Sequence, residues 1–535
     1  MFDNISFQKE KRLFSIVNKQ YEAAHNEHHL YCRPQDLINW VQVIKEDLNY
    51  IYFIDVVALR NPSNTPFDFE LDIIVANLES HQRLHLHVQF YKGEVIPSIA
   101  NFYPSSLYAL REQRDLFDIK FDMALESLFL TEKNRNIFSS DWEQKEEAKT
   151  FKPPKLPYNP NKSESPYPQE SWRWAHGDLF SKKTLGKFEA YYCFDPFKVV
   201  DVKTRLGSKF RGVELELTKK DHSHIAYLLE HMNHFASPFY SSAWVINLEQ
   251  ILELEITERA KGLRIVLWEL SRIAEHLFVT YEMCHLLELN ESLFYLDAYE
   301  RVCELFEAFS GNRYGQGVIK VGGLSFDIPA GWIIEFQEFN KIFLKNITLY
   351  HQYLLANSKF RTLINHTKVS SYSVLQNGIS GPNLRAAGVN YDLRKSRPVY
   401  FYQDIDFDVP VGVNGTSFDR YLIRFEEMIQ SSRIITQVLD NLPLGLIDLD
   451  LAQNEWVHQL KQKNNEFHYF ALEAPNGETG LVYSQGKNAE IKRLKIKSPS
   501  LYITQGLNDF LRGIKENEVP VALASLGIRE REMER

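Results

Sequence analysis

The sequence predicts an α+β protein of two modules. A small α/β module spans residues 1–138, and a mostly helical module with peripheral β-strands spans 176–535. A proline-rich linker at 139–175 joins them. Three observations carry this reading. Strand-length apolar runs, some alternating, fill much of the first hundred residues. Pro153, Pro154, Pro157, Pro160, Pro166 and Pro168 then crowd one segment behind the Glu/Lys-rich run 142–149, which favours extended, poorly packed backbone. A long helix-period apolar stripe begins near Ile256.

In chain order, Pro34–Asp47 is expected to be helical, with Leu37, Ile38, Val41 and Ile44 at 3–4 spacing. Residues 50–57 and 67–75 read as strands. Residues 84–88 alternate cleanly, with His85 and His87 on the face opposite Leu84, Leu86 and Val88. Two histidines at this spacing can hold a metal, but the simpler reading is a solvated strand face, and no metal ligand is assigned to this chain. Residues 110–121 suggest a helix start. In the second module, 188–194 and 198–204 read as a hairpin. Residues 256–277 form an amphipathic helix with a stripe of Leu263, Val266, Leu267, Leu270, Ile273 and Leu277. A second helix runs from about Tyr299 and is closed by Gly311, and a third covers 418–439.

Residues 380–395 carry Gly381 and Gly388 around Arg385, followed by Asp392 and Arg394. Such a stretch suits the wall of a buried site, where charges must be paired. It equally suits a structural loop with an internal Asp–Arg pair. The helix charges Arg264, Glu269, Arg272 and His276 read first as scaffold ion pairs.

Composition narrows the function classes. Lys and Arg number 61 against 70 Asp and Glu, a net charge of −9, so there is no basic footprint for nucleic acid. No apolar run reaches the roughly 18 residues needed to span a bilayer. The opening Met-Phe-Asp-Asn-Ile-Ser lacks a basic segment followed by an apolar one, so no signal peptide is expected. The four cysteines, Cys32, Cys193, Cys284 and Cys303, are scattered, which fits a reducing compartment and gives no local thiolate cluster.

The run Ser380-Gly-Pro-Asn-Leu-Arg-Ala-Ala-Gly-Val-Asn-Tyr-Asp-Leu-Arg-Lys395 resembles the large subunit shared by respiratory complex I, where it is the D subunit, and membrane-bound group 4 [NiFe] hydrogenases. The 256–277 helix, the 207–214 loop and Gly322–Pro329 resemble further stretches of the same protein. Pro97-Ser-Ile99 and residues 110–121 are similar to the C subunit of complex I, with Asp118 in place of that family's glycine. The family's G-H-P-x-L is replaced by Asp122-Met-Ala-Leu-Glu126. The resemblance therefore implies a fused C/D-type chain.

It also sets expectations for the site. The nickel–iron site of the hydrogenases needs four thiolates, and the aligned stretch 231–240 and the chain after Ser525 contain no cysteine, which excludes a nickel-based hydrogenase. For quinone, the family's histidine aligns with Leu185 and its tyrosine with His234. His234 is thus the expected catalytic hydrogen-bond donor, and His176 a substitute if the alignment holds an insertion. Arg385, Asp392 and Arg394 are expected to line the cavity, and Arg272 and His276 to face a cluster-bearing partner. The resemblance implies no cofactor bound by this chain itself, a possible quinone, and an iron–sulfur cluster in a small partner protein. It further implies membrane-arm partners and a cytoplasmic, peripheral place on the inner face of the cell membrane. The alternative is a catalytically retired scaffold coupled to an antiporter-like, ion-translocating partner.

Overall fold

A computed structural model describes residues 22–24, 27–62, 65–123, 172–176, 189–207, 210–365, 368–463 and 467–535. The chain forms two compact units, Met1–Pro157 and Tyr158–Arg535.

The first unit is built on a five-stranded sheet in the order β1-β2-β5-β4-β3. Its strands are β1 (Glu22–Ala24), β2 (Glu27–Cys32), β3 (Tyr52–Arg60), β4 (Phe69–Ala76) and β5 (Arg83–Phe90). β2 and β5 run parallel, and the other neighbours are antiparallel. The expected 34–47 helix is a composite: a 3₁₀ turn, helix α1 (Leu37–Gln42) and a π turn. Helix α2 (Ser106–Phe117) packs on β3. It ends at Asp118, whose φ of 59° is left-handed and whose N–H donates to the Arg114 carbonyl at 2.9 Å. Glycine is the residue that enters this conformation without strain, so Asp118 closes the helix at an energetic cost.

The Pro97-Ser-Ile segment and the end of the α2 motif are neighbours in space. Short strands β6 (Val95–Ile96) and β7 (Lys120–Phe121) pair in parallel, and Asp122 Oδ1 accepts from the Ser98 N–H at 2.7 Å. His85 and His87 do sit opposite the leucines, but the expectation of a solvated face is wrong. They are 0% and 2% exposed.

The second unit is helical with two three-stranded antiparallel sheets. One is β8 (Trp172–His176), β9 (Glu189–Asp195) and β10 (Lys198–Arg205), which contains the expected hairpin. β8 takes in the last residues of the segment expected as linker. A minor hairpin joins β11 (Ile319–Lys320) and β12 (Gly323–Leu324). The other sheet is β13 (Phe467–Ala474), β14 (Gly477–Gln485) and β15 (Ile491–Lys497).

Helix α3 (Ser237–Ile251) lies against β13 and β14. It leads to the 29-residue helix α4 (Glu258–Leu286), with Thr257 as its N-cap. Around α4 pack α5 (Ser292–Ser310), closed by Gly311 at φ 74°, and α9 (Ser417–Asp440). Helix α6 (Trp332–Ala356) covers α5. The predicted stripe of α4 is fully buried. So is its charged side, with Arg264, Glu269, Arg272, Glu275 and His276 all 0% exposed. α4 is a central core helix whose charged side is buried along with its apolar stripe.

Residues 380–396 fold as two short helices, α7 (Gly381–Ala386) and α8 (Leu393–Ser396), rather than as a loop. Pro382 occupies the first turn of α7, and the Asp392 side chain caps α8. Gly381 is required. Its φ is +69°, and a Cβ there would meet the Gly477 Cα at 2.5 Å, where α7 crosses the β13–β14 turn.

Candidate functional site

Two groups of expected site residues lie in the second unit, and among the described residues they do not share direct contacts. The first is a closed charge cluster where α4, α7, α8, α9 and β13 meet. Arg385 on α7 donates through Nε and Nη2 to Glu427 Oε1 at 3.1 and 2.7 Å. Its Nη1 donates to Glu473 Oε1 at 2.7 Å and to the Tyr391 carbonyl at 3.1 Å. Asp392 lies 3.3 Å from the same nitrogen. Asp392 and Arg394 pair with each other at 2.8–3.0 Å, as the sequence suggested. Arg394 also reaches Glu269 at 3.3 Å. Glu269 accepts from Arg272 at 3.2 Å and from the Tyr402 hydroxyl at 2.6 Å.

These groups are buried, so each charge depends on its partners rather than on water. Burial pushes the Asp392 carboxyl up, but Arg394 and Arg385 outweigh it and hold the group at about 2. Arg385 and His276 likewise hold Glu427 well below the usual carboxylate range against its burial. Glu473 is shifted the other way, because burial and the nearby Asp392 outweigh Arg385.

His276 Nε2 lies 2.8 Å from Glu427, and Arg424 Nη1 lies 2.9 Å from His276 Nδ1. Arginine can only donate. Nδ1 therefore accepts, and Nε2–H donates to Glu427. Burial pulls His276 down to about 3, so the ring is neutral at pH 7. Arg272 spends its Nη2 on the Glu473 carbonyl at 2.5 Å. Arg272 and His276 are both 0% exposed. Neither presents its side chain at the surface of this chain, contrary to the expectation that they face a partner. Arg264 is likewise structural: it grips Glu249 at 2.7 and 2.8 Å and caps two carbonyls of the β11–β12 hairpin.

The second group surrounds His234, in a 3₁₀ turn capped by Asn233 just before α3. The ring is half-buried and stacks on Tyr314 at 5.4 Å. Arg531 donates to its Nε2 at 2.5 Å. Nδ1 must then carry the proton, and this buried N–H has no hydrogen-bond partner among the described residues. Burial, with Arg531 and His231 adding, lowers the His234 pKa, so the ring is a neutral donor.

Asn233 and the Tyr240 hydroxyl both hold Glu532, at 3.2 and 2.7 Å. The Gly207 N–H donates to Glu534, and Arg535 reaches Glu214 at 2.7 Å. Arg531 and Glu532 thus make one wall of the His234 site, and Arg529 in the same segment joins it to α4 by pairing with Glu275 at 2.8 Å. Sequence reasoning missed this wall, because its pairings span roughly 300 positions and leave no local pattern. The backbone of His176 pairs with Glu189, but its side chain lies outside the described residues, as do Leu185 and the loop around it.

Comparison with known proteins follows the same division. Residues 30–141 match the family model described as respiratory-chain NADH dehydrogenase, 30 Kd subunit. Residues 289–535 match the one described as respiratory-chain NADH dehydrogenase, 49 Kd subunit. The chain is 31% identical to the NADH-quinone oxidoreductase D subunit of Desulforamulus reducens, over 64% of this chain and 93% of that one. The chain belongs to the respiratory-chain NADH dehydrogenase family, with the C and D subunit types in one polypeptide.

A relative with the same fused organisation is the NADH-quinone oxidoreductase C/D subunit of Bdellovibrio bacteriovorus, 28% identical over 98% of both chains. The D subunit of Wolbachia pipientis from Culex pipiens is 31% identical over 62% of this chain and 90% of its own. As a complex I-type C/D chain, the protein is one component of a multisubunit assembly. Among its described residues no helix is long and apolar enough to cross a membrane.

Proposed function

We propose that the chain is the C/D component in the peripheral arm of a complex I-like, membrane-associated electron-transfer complex, and that His234 offers a hydrogen bond to a quinone headgroup. Residues 1–138 would form the C-type domain and 176–535 the D-type domain. Electrons would arrive from an iron–sulfur cluster in a small partner protein, with the membrane arm on the other side. The supporting observation is the buried His234 Nδ1–H, a neutral donor without an acceptor among the described residues. A quinone carbonyl is an acceptor of the right kind.

The test uses the assembled complex. His234→Ala is expected to lower NADH:quinone turnover at least tenfold while leaving NADH:ferricyanide reduction, which bypasses the quinone, unchanged. Unaltered quinone turnover removes the quinone reading.

A specific observation favours a second reading for the other group. Arg385, Asp392 and Arg394 spend their polar atoms on internal partners, so this cluster acts as scaffold and not as cavity lining. If quinone turnover survives in His234→Ala, the scaffold role extends to the whole domain. The fold would then serve docking and conformational coupling to an ion-translocating partner.

A further inference from the structure

The first unit carries a cluster that this function does not use. Pairing in the sheet sets His29 beside His85 on parallel strands β2 and β5, and Asp72 of β4 opposite His87. The period of two then gathers Glu27, His29, His85, His87, Glu70 and Asp72 on one face. One ligand nitrogen from each of His29, His85 and His87 lies within 4.8 Å of the other two.

The carboxylates are arranged around the rings in a definite way. His85 Nδ1 lies 2.8 Å from Asp72, and His87 Nδ1 lies 3.0 Å from Glu70. Glu70 is itself held by Gln89 at 2.7 Å. Each Nδ1–H thus donates to a carboxylate, which turns Nε2 of both rings toward the middle of the cluster. There, His87 Nε2 lies 2.9 Å from His29 Nδ1, and His85 Nε2 lies 3.1 Å from Glu27. His85 Nε2 faces a carboxylate across a gap that a proton or a metal cation can fill, and His87 Nε2 either accepts from His29 Nδ1–H or turns its lone pair to the same cation. Glu27, Glu70 and Asp72 touch the imidazoles, and the Arg83 guanidinium lies 3.5 Å from Glu27. Three carboxylates and three imidazoles thus converge on one sheet face. The Asp72 carboxylate is fully buried, and its Oδ1 has no hydrogen-bond partner there.

The geometry points to a divalent transition-metal site, filled best by zinc, with His29, His85 and His87 as ligands, Glu27 as the fourth, and Asp72 and Glu70 orienting the rings. Imidazole and carboxylate donors suit zinc, cobalt or nickel and not magnesium or calcium. The carboxylate–histidine pairs are the outer-shell arrangement that fixes ring orientation at metal sites. Zinc–nitrogen bonds of about 2.0–2.1 Å bring tetrahedral ligand atoms to about 3.3 Å apart, so the ligands close by about 1.5 Å or less on binding. The ion would tie β2 to β5. The proposal departs from the expectation that the chain holds no metal ligands.

The test uses the full chain, stripped by chelator and dialysed against zinc or cobalt. One equivalent of zinc should be retained, and cobalt should give the visible spectrum of a low-coordinate nitrogen/oxygen site. Glu70→Gln should weaken binding about 10- to 100-fold. His29→Gln and His87→Ala should abolish it, while a variant of the exposed His458 should not change it. If the unmodified chain binds no stoichiometric zinc, cobalt or nickel, the proposal is overturned, whether or not any variant folds. Undiminished binding in folded His29→Gln overturns it equally.

Discussion

Replacing Glu427 by Gln keeps the side chain's volume and one acceptor oxygen but removes its negative charge. Arg385 grips that carboxylate at 2.7 and 3.1 Å, His276 meets it at 2.8 Å, and Arg272 lies 3.8 Å away. All four side chains are 0% exposed, so water cannot take over the lost partnership. Three hydrogen bonds reach the carboxylate; if the oxygen that Gln retains stays with His276, the two from Arg385 are lost, and at about 1.5–3 kcal/mol each they set a gross loss of about 3–6 kcal/mol. Glu473 and Asp392 still face Arg385, which trims the expected cost to about 3–5 kcal/mol, the range for removing one side of a buried pair. Denaturant unfolding of the full chain, followed by tryptophan fluorescence, reads this through the buried Trp244 and Trp268 of the same unit. The transition should move to lower denaturant with an unchanged slope. Arg385→Met combined with Glu427→Leu should cost less than the sum of the single changes, because the pair leaves together. A loss below about 1 kcal/mol, typical of an exposed pair, together with simple additivity would refute the account of a dry, mutually dependent network.

Two further outcomes follow from the same physics. Burial pushes Glu230 up to about 7, against the Gly317 N–H that it accepts at 2.9 Å. A carboxyl raised in the folded state contributes most below the ordinary value near 4.5, and that contribution is lost as pH rises through 7. Glu230→Gln should therefore leave stability near pH 4.5 almost unchanged and raise it at pH 8 by up to roughly 3 kcal/mol. An equal effect at both pH values in thermal melts would contradict this. At the end of α2, Asp118→Gly should stabilise the first unit by up to about 1 kcal/mol, because glycine adopts the left-handed conformation freely. Denaturation of the two proteins in parallel checks it, and a clear destabilisation would show that the Asp118 side chain contributes more than its strain costs.

Much of this architecture is legible along the chain, and the exceptions share a cause. The α4, α5 and α9 helices, the β9–β10 hairpin and the alternation of β5 follow from local periodicity, and the structure has them close to where they were read. β2 escaped because Glu27-His-His-Leu-Tyr-Cys32 alternates poorly. It is a strand because β5 lies beside it in parallel, a partner more than fifty residues away. The glycines at 381 and 388 suggested a loop, although Pro382 in a first turn and Asp392 as a cap were helix signals within the same run. The spacing of Glu269, Arg272 and His276 at three and four residues is what an exposed salt-bridged helix face also shows. Only the packing of α9 and β13 against that face decides that it is interior. The donor at His234 was legible as a residue type, whereas its orphaned proton was not, since Arg531 fixes the tautomer from the far end of the chain.

Charge balance separates the two buried clusters and their roles. In the second unit Arg272, Arg385, Arg394 and Arg424 stand against Glu269, Asp392, Glu427 and Glu473, four against four, with His276 neutral between them. The formal charges of this set balance, although Arg272 Nη1 and Arg424 Nε have no hydrogen-bond partner among the described residues. In the first unit three carboxylates and one guanidinium surround three imidazoles whose ring nitrogens converge. One ligand nitrogen from each of those rings lies within 4.8 Å of the other two, a spacing that a divalent cation can draw together. Burial makes both clusters sensitive to the loss of any member, but only the second has a place that an incoming ion would improve. The closed cluster therefore accounts for rigidity around α4, and the open one is where a ligand is expected.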